Sequence, residues 1–407
     1  MPGRWLLAYP NFWPMWVGQT LSLTGDAFTE VALAVWALER SHNSALAVGV
    51  VLLVAALPRV FLGWAVHLVV DRWHKQRLLW AVDLLRAGAV AVIPWLPNFA
   101  EMWGVVFVVQ ALGMLYLPAL RAVVPETVDR DRLVDANALL TTSQAVSQIA
   151  GYALAGWVVL NWGAALAFRA DAASYLLCGM LVWWVRLPQQ VWRPAVAAHG
   201  QSGWESWREG MRYHRDHPIV LHLLGVSAMA GLALNGLTVL SAAAVPHLLH
   251  QSPGIYGFLL AAMAGGLSVG SLAFSRFHQR WRYGRWLAGG FWLGGGLCVV
   301  LGFTHDAAWA GLWYFGMGIA NAAFLLPMRS WIAAMVPLEI RGRVYATRSV
   351  VLAATGAISA ALGGWLAQAL GVSAGLWIFG LTLGAAGCYS WGVPALRWMS
   401  GVSTSPG

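Results

Sequence analysis

The sequence predicts an all-α membrane protein of twelve transmembrane helices, arranged as two pseudo-symmetric six-helix bundles. Three observations lead there. The 407-residue chain is 59% hydrophobic and only 10% charged, against about 25% charged residues in a soluble domain. Its apolar residues fall into a dozen stretches that could each cross a bilayer as a helix, which takes about 20 residues. Its positive charge gathers in every second gap between those stretches.

The spans are placed at 12–38, 46–69, 78–97, 102–119, 135–160, 165–187, 217–247, 254–275, 284–304, 307–330, 345–370 and 372–396. The first is too long for a cleavable signal peptide and lacks a small-residue cleavage site. A net charge of +9 would by itself suggest nucleic acid, but the distribution excludes that reading. Arg72, Lys75 and Arg77 lie between spans two and three, and Arg121, Arg130 and Arg132 between four and five. Arg208, Arg212 and Arg215 lie between six and seven, Arg276 to Arg285 after span eight, and Arg341 to Arg348 after span ten. The alternate gaps hold little beyond Arg40 and Arg169. This positive-inside pattern puts both termini in the cytoplasm. Cys178, Cys298 and Cys388 lie within spans, widely spaced, and read as apolar packing rather than as metal or disulfide positions.

The longest polar stretch divides the chain into 1–187, a cytoplasmic linker at 188–216, and 217–407. The second part of the linker reads as an amphipathic helix. Trp204, Trp207 and Met211 share one face, while Glu205, Arg208, Glu209, Arg212 and Arg215 take the other. The simplest role for it is a tie between the two halves; a helix of this kind suits the membrane surface. The halves carry matching landmarks. Asp71-Arg72-Trp73 with Arg77 follows span two, and Gln279-Arg280-Trp281 with Arg285 follows span eight. Pro125 to Gly151 and Pro337 to Gly363 span the same number of residues. Duplicated six-helix units with a midplane substrate site are a common transporter plan.

The loop Asp71-Arg72-Trp73-His74-Lys75-Gln76-Arg77 resembles the signature loop between helices two and three of the major facilitator superfamily. Three further stretches resemble the bacterial branch that holds macrolide efflux pumps and the enterobactin exporter. They are 121–156, Asp171-Ala172-Ala173-Ser174, and 339–348. The resemblance covers most of the chain and implies secondary transport across the bacterial cytoplasmic (inner) membrane. In that family the loop latches a cytoplasmic gate, which makes Asp71, Arg72 and Arg77 gate candidates, with Arg280 and Arg285 in the second copy. The alternative is that these arginines only set topology. Two positions depart from the family pattern. His67 stands where a Gly is usual, and Gly151-Tyr152 stands where exporters often carry Gly-Pro.

Ionisable groups inside a span are costly and are functional candidates by default. In span one Gln19, Ser22, Asp26, Thr29 and Glu30 form one polar stripe at helical spacing, suited to a water-filled cavity. Asp26 and Glu30 are one turn apart, and close carboxylates in a low dielectric resist joint ionisation, which suits a proton carrier. The alternative is that they pair with an arginine and hold helices together. Asp83 and Arg86 share a face of span three and read as an interhelical charge network. Arg59 in span two is either a substrate anchor or the counter-ion of Asp26 or Glu30. Uncharged polar candidates for a substrate cavity are Gln19, Ser22, Gln110, Gln144, Gln148, Asn235 and Asn321. Most of the 26 tryptophans fit interfacial belts or packing. The glycine runs of span nine fit close helix packing.

No Walker motif, zinc spacing or serine elbow stands out, so neither an enzyme nor a cofactor is expected. The expected function is proton-coupled export of amphipathic small molecules, of the drug or siderophore class, by alternating access. A lipid or lysophospholipid flippase, or an uncoupled facilitator, would use the same scaffold. The expected partners are a small amphipathic substrate, protons and membrane lipid, with no nucleic acid, in a monomer.

Overall fold

The computed structural model describes residues 9–63, 66–186, 203–277 and 282–399. Fifteen α-helices follow in chain order: α1 Phe12–Arg40, α2 Ala45–Leu62, α3 Val66–Arg72, α4 Lys75–Val92, α5 Phe99–Val123, α6 Leu133–Trp162, α7 Ala164–Trp184, α8 Gly203–Asp216, α9 Pro218–His247, α10 Ile255–Phe277, α11 Tyr283–Leu301, α12 Ala307–Met335, α13 Leu338–Leu370, α14 Val372–Gly392 and α15 Pro394–Arg397. No strand occurs among the described residues. Only helices can satisfy every backbone group within one membrane-crossing segment. Eleven of the described helices are long and apolar enough to cross a membrane. The twelfth, α6, has 30 residues. It falls short in hydropathy because Asn137, Thr141, Thr142, Gln144 and Gln148 punctuate it.

One expected span is broken. The stretch 46–69 is helical only to Leu62, turns at Gly63, and resumes as α3. Pro58 supplies no N–H to the ladder, and glycine is a poor helix former, so α2 ends where the two act together. The helix ends are otherwise set locally. Asn98 caps α5 by accepting from the Glu101 N–H at 3.0 Å, and Asp306 caps α12 through the N–H groups of Ala308 and Trp309. Gly163 (φ 81°) and Gly371 (φ 89°) each form the single-residue turn between two long helices, α6–α7 and α13–α14. Such a backbone conformation favours glycine, and its recurrence at matching places in the two halves agrees with duplication.

The chain clusters into two units. The first comprises residues up to Trp36 together with Phe61–Gly200; the second comprises Ala37–Val60 together with Gln201–Gly407. A division at 187 and 217 keeps 37–60 with the N-terminal bundle, whereas the helix contacts group these residues with the second unit. There Gly49 of α2 lies against α13, where a Cβ would stand 2.6 Å from the Ala360 carbonyl oxygen. In the first unit an apolar core of Phe12, Met15, Leu79, Val82, Leu120 and Val182 joins α1, α4, α5 and α7. In the second, α10 packs on α12 through Gly266 and Gly318, each too close to the facing backbone to admit a side chain. The glycine run of α11 divides by face. Gly290 and Gly295 abut backbone of α12 and α14, while Gly289 and Gly296 meet nothing within 4 Å.

Helix α8 docks on the start of α13. Glu209 pairs with Arg343, and a Cβ on Gly210 would stand 2.9 Å from the Arg343 carbonyl oxygen. His214 is buried, its Nδ1 2.7 Å from the Gly210 carbonyl. The side chains of Trp204, Glu205 and Trp207 lie outside the described residues.

Burial pushes the His214 imidazole below its ordinary range, and the Gly210 contact offsets part of that. A histidine whose folded value is lowered binds protons more readily when undocked. Docking is therefore fully supported above the ordinary histidine value of about 6.5 and weakens as pH falls through and below it. Amide exchange across Met211–Asp216, corrected for intrinsic rates, should accelerate on acidification in the native protein. It should become independent of pH in His214→Phe.

Candidate functional site

A charged cluster sits inside the first unit, where α1, α4 and α7 meet. Arg86 on α4 is 8% exposed, and its Nη2 lies 2.8 Å from Asp26 Oδ1 on α1. The same carboxylate oxygen accepts from the Tyr175 hydroxyl on α7. The guanidinium also stands 4.2 Å from the centre of the Tyr175 ring, a cation–π contact that strengthens away from water. Gly113 on α5 lies beside the guanidinium, where a Cβ would make ordinary contact at 3.5 Å. Asp26 itself keeps 38% of its side chain exposed.

Two further carboxyls lie deeper. Asp171 on α7 is fully buried. It accepts from Thr29 Oγ1 at 2.5 Å and from Ser174 Oγ at 3.2 Å. Gly25 on α1 passes directly over this pair, and any side chain there would overlap the Ser174 hydroxyl and the Asp171 carboxyl. Asp83 on α4 is also fully buried. Neither of its oxygens meets an N–H or O–H donor. Its polar neighbour is the Cys178 thiol, itself 3.1 Å from the Tyr116 hydroxyl. Cys178 is thus part of a polar cluster rather than of purely apolar packing.

The stripe on α1 does not act as one group. Asp26 turns to α4 and α7 and Thr29 to α7, while Glu30 is exposed and accepts from the Tyr152 hydroxyl of α6 at 2.6 Å. Tyr152 therefore supplies a side-chain donor where Gly-Pro exporters have none. Gly151 keeps the close α1–α6 approach, since a Cβ there would stand 2.9 Å from the Ala27 Cβ and 3.0 Å from the Thr24 carbonyl oxygen. Gln19 and Ser22 are buried on the same stripe.

The expected charge network of Arg59, Asp83 and Arg86 is corrected in one member. Arg59 is exposed in the last turn of α2 and forms no ion pair among the described residues. Arg86, not Arg59, is the counter-ion of Asp26. Arg86 reaches Asp26 across the helices rather than pairing with Asp83 on its own helix, because the Asp83 side chain turns toward α7.

The other candidates are scattered. Asn235 and Asn321 line one cavity of about 200 Å³ in the second unit, with Thr238, Ser241 and Tyr314. Gln110 and Gln148 are half-buried and Gln144 exposed in the first unit. Arg72, Arg77 and Arg285 are exposed. The side chains of Asp71 and His67 lie outside the described residues, as does Arg280. Sequence reasoning missed Asp171, Tyr175 and Ser174 as site residues. An aspartate in an apolar span is the very signal that drew attention to Asp26, and applied to span six it finds Asp171.

A hydrogen bond to a charged group contributes about 1.5–3 kcal/mol when buried; with Asp26 partly open, the lower end applies. Tyr175→Phe should therefore cost about 1–2 kcal/mol of unfolding stability in detergent. Tyr152→Phe, whose partner Glu30 is exposed, should cost less than about 1 kcal/mol. Equal losses would place the two carboxylates in equivalent surroundings.

A family model described as "Transmembrane secretion effector" matches residues 6–403. Macrolide efflux protein A of Streptococcus pyogenes is 26% identical over 184 residues, 44% of this chain and 45% of that protein's length. The MFS-type transporter YfiS of Bacillus subtilis (strain 168) is 22% identical over 370 residues, 90% of this chain and 88% of the relative. Among solved structures, the nucleoside transporter NupG (D323A mutant) superposes with a TM-score of 0.76 at 12% identity, covering 93% of this chain and 98% of that one. A bacterial homologue of the human lysosomal transporter Spinster gives 0.74 at 14% identity, covering 95% and 97%. These likenesses establish the fold, and the whole-length family match places the chain. It is a multi-pass membrane protein with the major facilitator fold, a transporter and not an enzyme, and it belongs to the transmembrane secretion effector family of the major facilitator superfamily.

Proposed function

We propose that this transporter exports amphipathic small molecules in exchange for protons, by alternating access. The observation that carries the reading is the group of intramembrane carboxylates around Arg86, with 38% of the Asp26 side chain exposed. Ionisable groups are retained at such depth where they move ions or substrate. Of the two carboxylates expected to carry the proton, Asp26 is engaged by Arg86 and Glu30 by Tyr152, which turns the coupling role toward the carboxyls deeper in the same cluster. The cavity of about 200 Å³ that holds Asn235 and Asn321 is smaller than a typical small-molecule pocket and offers a polar anchor point for part of a ligand. The relative named for macrolide efflux supports the drug class as cargo. Alternating positive charge in the sequence supports the cytoplasmic membrane of a bacterium, with both termini in the cytoplasm. Asp71, Arg72 and Arg77, with Arg280 and Arg285, are the proposed cytoplasmic gate. The working unit is a monomer in contact with membrane lipid.

The test uses inside-out membrane vesicles with an imposed pH gradient and labelled erythromycin, comparing vesicles that contain the full chain with vesicles that lack it, since this amine also distributes passively with pH. For one proton exchanged per singly protonated substrate, each unit of pH gradient sustains about a tenfold concentration ratio. Accumulation should approach that ratio and collapse to unity on addition of a protonophore. Equilibration to unity with or without the gradient would make the protein an uncoupled facilitator. Scrambling of labelled lipid without a gradient would favour a flippase.

A further inference from the structure

The cluster holds three carboxyls and one guanidinium. Arginine stays charged in proteins, and its charge is matched by Asp26 at 2.8 Å. Asp83 and Asp171 are then left, both fully buried and neither in an ion pair among the described residues. Two uncompensated carboxylates at membrane depth would each carry a desolvation penalty of several kcal/mol. Their surroundings are those of neutral acids. Asp171 is met by two hydroxyls, Thr29 and Ser174, and a hydroxyl can accept from a protonated carboxyl as readily as it donates to an ionised one. Asp83 has no N–H or O–H donor on either oxygen. The Cys178 thiol, a weak donor, is a neighbour but makes no hydrogen bond to either oxygen.

We propose that the exchangeable protons of this transporter sit on Asp171 and Asp83, while Asp26 stays ionised against Arg86. The groups facing Asp171 are Asp26 and Thr29 on α1, Arg86 on α4, and Ser174 and Tyr175 on α7. On α6 the titratable side chain of this stretch, Tyr152, donates to Glu30 instead. Facing Asp83 are Arg86, Asp26 and Cys178, with Tyr116 of α5 beyond the thiol. Each release moves one proton from a carboxyl oxygen to water and leaves a second anion within the electrostatic reach of Arg86. Release from Asp171 then shares the guanidinium between α1 and α7, and release from Asp83 draws it toward its own helix α4, rather than leaving it committed to Asp26. That changes the tie between the helices and gives proton release a mechanical output.

This assignment rests on the proton-coupled reading but is tested without substrate. The probe is the proton itself, read as the carboxylic C=O stretch in pH-difference infrared spectra of the full chain reconstituted in lipid. The wild type should show a protonated-carboxyl signal that titrates, with one component missing in Asp171→Asn and another missing in Asp83→Asn; Asp26→Asn should remove neither but move a midpoint to lower pH, because Arg86 then takes a deeper carboxyl as its counter-ion. If a replacement fails to fold, Thr29→Val keeps the Asp171 carboxyl and should displace the midpoint of its component alone. Survival of the signal unchanged in both Asp171→Asn and Asp83→Asn, or midpoints of both components unmoved in Asp26→Asn, would overturn the proposal. Survival in only one of them strikes that carboxyl from the assignment. A titrating signal with gradient-independent transport would instead defeat the coupling reading and leave the proton sites standing. Gradient-driven transport with the signal intact in both variants would do the reverse.

Discussion

A guanidinium inside a membrane protein cannot lose its charge, so the helices around Arg86 must supply a counter-charge and fill the space beside it. Asp26 supplies the charge from α1, and Tyr175 supplies a ring face and a hydroxyl from α7. One side chain of α4 thereby ties three helices of the first unit together. The apolar core of Phe12, Leu79, Val82 and Val182 can then close over the same helices without burying an unpaired charge, which is the costly alternative. Gly25 follows from the same constraint: α1 must come close enough to α7 for Asp26 to reach Tyr175, and at position 25 only a hydrogen fits.

The two units carry different chemistry on a shared architecture. The first concentrates ionisable groups: Asp83, Arg86 and Asp171, all buried, with Asp26 beside them. The second uses amides and hydroxyls, with Asn235, Thr238, Ser241, Tyr314 and Asn321 around one cavity. Its helices are drawn together by glycines such as Gly266, Gly318, Gly295 and Gly380, the close packing that lipid-embedded helices favour where no hydrophobic drive exists between them. An exporter built this way would keep proton handling and cargo contacts on separate halves. Coupling would then run through motion of the helices rather than through direct competition for one site.

Much of the fold was legible because bilayer thickness dictates span length and the positive-inside bias dictates loop charge. Helices α1, α7, α9, α10 and α12 begin within a residue or two of where the apolar runs begin. The break after Leu62 was not legible from hydropathy, since residues on both sides of it are apolar; Pro58 and Gly63 were the available signals. Within the site, helical spacing put Asp26, Thr29 and Glu30 on one stripe but could not say that their partners lie on two different helices. Choosing Arg86 over Arg59 as counter-ion required knowing which face of α4 turns toward α1, and that depends on packing between residues far apart in sequence. The convergence of Asn235 and Asn321 on one cavity depends on packing in the same way. Asp171 was legible in principle from its apolar surroundings alone.

The central claim is that Asp26 and Arg86 are an energetic pair and not merely neighbours. A double-mutant cycle on unfolding stability in detergent measures this directly, with Asp26→Asn, Arg86→Gln and the combined variant. Groups in direct contact couple by about 0.5–3 kcal/mol. The combined variant should therefore lose less stability than the sum of the single losses, by about 1–3 kcal/mol, because removing both partners leaves no stranded charge. Losses that simply add would contradict the account, and Arg86 would then owe its place to Tyr175 and the other carboxyls.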